Sequence, residues 1–118
     1  MLLSPELNYS LNEIDGLNVL DLSGSLTIIS FDALITMMHK LAERESLIID
    51  MKNIDFLTIS GINVLVEISY YAKTRGNRVI LISVNAEIMD LINYLNYNSH
   101  FIFAENFEEA KMKIEYFT

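Results

Sequence analysis

The hydroxyl pair Thr58 and Ser60, placed either side of Ile59 and just ahead of Gly61, is the first candidate for chemistry in this sequence. A serine nucleophile needs a histidine base and a carboxylate to orient it. The chain has two histidines, His39 and His100. His39 falls in the polar register of a helical stretch and His100 in the loop before the last strand, so neither is placed near Ser60 by the pattern. The Gly-x-Ser-x-Gly elbow is missing as well, because Thr58 and Ile59 precede Ser60. Ser60 is expected instead to cap the helix that starts there, and Thr58 to make a local loop hydrogen bond. Asp50 and Asp55 could pair as carboxylates, but no histidine or cysteine lies near them to complete a metal set. Asp50 is expected to close a strand with loop hydrogen bonds. There is no cysteine, which removes thiolate catalysis, disulfides and Cys-ligated zinc. No glycine-rich phosphate loop is present. Neither a metal nor a cofactor is expected, and no enzyme activity.

The elements that must hold these residues follow from periodicity. Leu7 to Glu13 and Asn18 to Ser23 read as strands joined at Asp15-Gly16, a strong hairpin turn signal. Ser30 is placed to cap a helix from Phe31, where Leu34, Ile35, Met38, Leu41 and Ala42 recur at helical spacing. Leu47-Ile48-Ile49 is a short apolar run, typical of a strand buried on both faces. A second helix runs from Ser60 to Thr74, with Gly76 suited to the left-handed residue that closes it. Arg78 to Val84, holding Val79-Ile80-Leu81-Ile82, reads as another buried strand. Asn85 caps a third helix carrying Ile88, Leu91, Ile92 and Leu95. Phe101 to Phe103 is a last strand. Asn106 and Glu109 resemble a capping box ahead of Phe107, Ala110, Ile114 and Phe117, with Glu109 and Lys113 paired at i,i+4. The order ββαβαβαβα implies one α/β domain over residues 1–118, a mixed sheet with an N-terminal hairpin, a parallel core and about four helices.

Composition narrows the partners. The chain has 118 residues, 52% hydrophobic, with 16 acidic against 8 basic side chains and a net charge of −8. That suits one domain with a real core. A surface of this sign repels phosphate backbones and anionic headgroups, so no nucleic acid is expected as partner. No apolar run reaches the roughly 18–20 residues of a membrane helix. Met1 to Ser10 carries Glu6 and no basic residue, unlike a signal peptide. A cytoplasmic location is expected, with no direct membrane insertion.

Four segments, in order, resemble one family. Leu22-Ser23-Gly24-Ser25-Leu26 is similar to a Leu-x-Gly-x-Leu-Asp element. The stretch Leu47-Ile48-Ile49-Asp50 followed by Thr58-Ile59-Ser60-Gly61-Ile62 resembles a strand ending in Asp, a short loop, then Asp-Ser-Ser-Gly-Leu. Ala72 to Leu81 resembles the helix, glycine turn and strand that come next. Phe101 to Ala110 resembles the final strand and helix. These are the marks of the sulphate-transporter and anti-sigma-factor-antagonist (STAS) family, and the likeness spans nearly the whole chain.

The resemblance implies a protein-binding module. Stand-alone members of that family antagonise anti-sigma factors. They bind a kinase-like partner that phosphorylates the first Ser of Asp-Ser-Ser-Gly and thereby releases them. Aligned on Gly61, that Ser falls on Ile59, the Asp before it on Thr58 and the second Ser on Ser60. The Asp of the upstream element becomes Thr27. Ile59 has no hydroxyl, so the family's switch is expected to be absent there: a constitutively binding antagonist, or one regulated elsewhere, with Ser60 and Thr58 the candidates for a displaced phosphosite. The expected contact surface is Thr58, Ile59, Ser60, Gly61 and Ile62, with Ile59 and Ile62 exposed and Tyr70 or Tyr71 extending the patch. A second class fits the missing serine too: a STAS-type accessory subunit of a lipid or anion transport complex. No residue supports a nucleotide ligand.

Overall fold

A computed structural model describes residues 7–117 of the chain. The first six residues, where the leader argument partly rests, and Thr118 lie outside it, as do the side chains of Ile28, Ile29, Ala33 and Phe117. Strand β1 (Leu7–Ile14) and strand β2 (Leu17–Leu26) pair antiparallel. The two residues between them, Asp15 and Gly16, have φ of 53° and 79°. Positive φ at both central positions makes the primed turn whose twist matches a hairpin.

Helix α1 (Ile28–Arg44) then leads to strand β3 (Leu47–Leu57), helix α2 (Ile59–Thr74) to strand β4 (Val79–Ile82), and helix α3 (Ala86–Tyr94) to strand β5 (Ile102–Ala104). A short 3-10 turn (Asn98–His100) precedes β5, and helix α4 (Phe107–Phe117) ends the chain. The sheet order is β1-β2-β3-β4-β5, with β2 to β5 all parallel. Strands added in sequence through right-handed crossovers must put every crossover helix on one face. The core shows this. Leu20, Leu22, Leu47, Ile49, Val79 and Leu81 pack beneath residues of α1, α2 and α3. The alternate residues Val19, Ile48, Ile80 and Ile82 face α4 through Ala110 and Ile114. The α/β class, the mixed sheet and the element order expected from periodicity are all present.

Three local expectations fail for physical reasons. Thr27, not Ser30, caps α1: its side chain accepts from the Ser30 amide at 3.1 Å while the Ser30 hydroxyl accepts from the Thr27 amide at 2.9 Å. This is a capping box with Ser in the Glu position, so the helix starts three residues before Phe31. Strand β3 runs well past Ile49. Its polar half, Lys52 to Asp55, looks like a loop because β4 ends opposite Asp50 and leaves that edge open. Two register shifts against β2, between Asp21 and Ser23 and between Gly24 and Ser25, let the longer strand keep pairing; each is a bulge in β3. Asp50 therefore sits mid-strand and buried, not at a strand end.

Candidate functional site

The segment that ends β3 and starts α2 is tied to the end of β2. The Thr58 amide donates to the Leu26 carbonyl at 3.1 Å. Thr58 Oγ1 accepts from the Gly61 amide at 3.1 Å and lies 3.1 Å from Ser60 Oγ. Thr58 is thus the cap of α2, and Ser60, expected in that role, is the second helical residue with its hydroxyl on the cap. The cap geometry favours Thr58 because its backbone is extended, with φ −97° and ψ 161°, as a residue just outside a helix must be.

Gly61 is buried against β2. A Cβ built there would lie 2.3 Å from the Leu26 carbonyl oxygen, a backbone atom held by its own hydrogen bond. No side chain fits. The glycine therefore sets how closely α2 approaches β2. Ile62 follows it into the core and is fully buried. The expectation that Ile62 is part of an exposed patch is corrected: its side chain is fully buried and belongs to the core between the sheet and α1 to α3. Ile59, the first residue of α2, is 50% exposed. Of the five expected contact residues, Thr58, Ile59 and Ser60 reach the surface while Gly61 and Ile62 shape it from within. Tyr70 is exposed and Tyr71 half-buried, but both lie on the third turn of α2 or beyond, away from this rim.

Pattern reasoning missed two parts of the surface. Phe56, at the open end of β3, is 54% exposed. Beside it, a cleft of about 330 Å³ runs between residues 55–57 and the start of α3, lined by Asp55, Phe56, Asn85, Glu87, Ile88 and Leu91. An exposed phenylalanine and isoleucine three residues apart, with two carboxylates alongside, offer an apolar contact rimmed by negative charge. The alternation of Ile54, Asp55 and Phe56 carried the signal, but only for a strand longer than the apolar run suggests.

The other singled-out residues lie elsewhere. Thr27 is buried under α1 as its cap. Asp50 alternates with Ile49 and Met51 and so points to the α4 side, where Oδ1 accepts the Lys52 amide at 3.0 Å and Oδ2 lies 3.4 Å from Lys52 Nζ. It steadies the first bulge and does not join the rim. His39 stacks edge-on against Tyr71 with ring centroids 4.9 Å apart. Eleven residues separate Tyr71 from Ser60, about 16 Å along a helix, so His39 serves no base at Ser60. The His100 carbonyl accepts from Ser69 at 2.9 Å, again far along α2. No cluster of three or more metal-ligating side chains occurs among the described residues. No helix among them is long and apolar enough to cross a membrane.

Comparison with known proteins now decides the family. The STAS domain model matches residues 8–110. The chain belongs to the STAS domain family. No curated protein matches it in sequence. Several solved structures share the fold. An anti-sigma factor antagonist from Mycobacterium paratuberculosis is 15% identical, covers 92% of this chain and 94% of its own, and superposes with a TM-score of 0.79. Unphosphorylated SpoIIAA, also an anti-sigma factor antagonist, is 13% identical over 90% of this chain and 96% of its own, with a TM-score of 0.69. The murine Slc26a9 anion transporter matches 96% of this STAS chain with only 22% of its own length, at 13% identity and a TM-score of 0.73. At such identities the likeness is one of fold.

Proposed function

We propose that this STAS protein is a protein-binding module of the anti-sigma factor antagonist kind, acting in the cytoplasm in a bacterial partner-switching pathway. Its partner is a kinase-like anti-sigma factor, held at the rim formed by Phe56, Thr58, Ile59 and Ser60. The observation that carries this reading is Ile59: an exposed apolar residue at the first position of α2, where the family motif has its phosphoacceptor serine. A phosphate there would add roughly −1.5 to −2 charges. Isoleucine keeps the rim neutral, so binding is constitutive at this position. The alternative to constitutive binding is a displaced switch at Ser60 or Thr58. Their hydroxyls contact each other, and Thr58 is engaged in capping α2, which leaves Ser60 the better acceptor. The carboxylates of Asp55 and Glu87 steer a basic partner surface.

The likeness to a 22% portion of an anion transporter supports a second reading, an accessory subunit of a membrane transport complex, which needs no phosphoserine either. Affinity purification of the tagged protein from its own cells separates the two. Co-purification of a kinase-like protein supports the antagonist reading; a permease or transport ATPase in its place overturns it.

A further inference from the structure

Cationic side chains are scarce in this chain, 8 against 16 acidic. Three of them, Lys73, Arg75 and Arg78, fall within six residues at the turn from α2 to β4. Lys73 and Arg78 line a cleft of about 200 Å³ together with Ser69, Ser99 and His100, at the ends where β4 and β5 begin. A second, shallower recess shares Ser69, Lys73, Ser99 and His100, so the two form one furrow. No aspartate or glutamate lines either one. Two larger clefts contain carboxylates, Glu105 and Glu109 in one, Asp55 and Glu87 in the other.

A lysine near a helix C-terminus usually serves the unpaired carbonyls there. Here those carbonyls have other partners. Tyr71 O accepts from Thr74 Oγ1 at 2.6 Å, Ala72 O from the Asn77 amide at 2.9 Å and Lys73 O from the Gly76 amide at 3.1 Å. This is a Schellman closure, so the helix end does not require the lysine. Lys73 also makes no ion pair among the described residues. We propose that the furrow between the end of α2 and the start of β5 binds a small phosphate-type oxyanion, with Lys73 and Arg78 supplying charge and Ser99 and His100 supplying hydrogen bonds. The cleft is below the roughly 300–1,000 Å³ of sites for larger ligands, which limits the occupant to free phosphate or the phosphate end of a small monoester. Lys73 is fifteen residues from Thr58, about 22 Å along α2, so the occupant cannot touch the partner rim.

The test is an amide-resolved NMR titration of the full chain with inorganic phosphate, and in parallel with glycerol phosphate, against sodium chloride at matched ionic strength. Saturable shifts at Ser99, His100 and Ile102, with half-saturation on the order of 1 mM and weakened about fivefold in Lys73→Gln, support the site. The tighter of the two ligands identifies its source. Lys40→Gln, on the exposed side of α1, should leave the titration unchanged. Shifts that rise without saturating, or that are the same in Lys73→Gln while its spectrum shows an intact fold, overturn the proposal.

Discussion

Ile59 and Ile62, three residues apart at the start of α2, take opposite duties. Ile62 is fully buried and Ile59 half exposed. Ile62→Ala should lower unfolding free energy by about 2–5 kcal/mol, measured by urea denaturation. Ile59→Asp should leave stability unchanged or raise it by about 0.3–1 kcal/mol, since a carboxylate at a helix N-terminus meets the positive end of the dipole. The same Ile59→Asp chain should lose partner capture. A stability loss at Ile59 matching that at Ile62 would show the residue to be core and not rim. Gly61→Ala should cost roughly 1–3 kcal/mol by overpacking, because the new methyl meets the Leu26 carbonyl at 2.3 Å; an unchanged denaturation midpoint would contradict the close approach of α2 to β2. These roles were only partly legible beforehand. The motif aligned Ile59 with the family's phosphoserine, but nothing in the spacing told which of Ile59 and Ile62 faced the sheet, as α2 is apolar on several sides.

The elements themselves were easier to foresee than their ends. The hairpin was clear at Asp15-Gly16 and the closure of α2 at Gly76, because both turns need positive φ and the sequence supplies the residues that accept it. Asn85 caps α3 as its side chain suggested, accepting from the Ile88 amide at 2.8 Å. Capping assignments went wrong where two hydroxyl residues stood three or two apart: Thr27 over Ser30, Thr58 over Ser60. In each case the earlier residue has the extended backbone of a cap and the later one supports it from inside the helix. Thr27 standing where the family motif has Asp is intelligible on these terms, since both are good caps. Thr27→Ala should cost about 1 kcal/mol in chemical denaturation, and Thr27→Asp should restore most of it. The polar length of β3 was illegible because its far half has a neighbour on one side only, and a half-paired strand loses the continuous apolar run that marks a buried one.

At the scale of the whole molecule, the two ends of α2 differ in the charge gathered around them. Asp55 and Glu87 lie by the rim at the start of α2, while Lys73, Arg75 and Arg78 gather at its end. A partner that docks on the rim by its basic surface should associate more slowly as salt rises, by about tenfold between low and high ionic strength, in stopped-flow binding. A rate indifferent to salt would place the docking on the apolar residues alone. On the proposed function, Ile59 makes binding independent of the phosphorylation that the family motif otherwise invites. The most direct measurement is the affinity of the protein for the proposed kinase-like partner before and after incubation with ATP, alongside Ile59→Ser. An affinity that ATP leaves unchanged in the native chain and abolishes in Ile59→Ser is the predicted result. Loss of binding in the native chain on incubation with ATP, with phosphate found on Ser60 or Thr58, would contradict it.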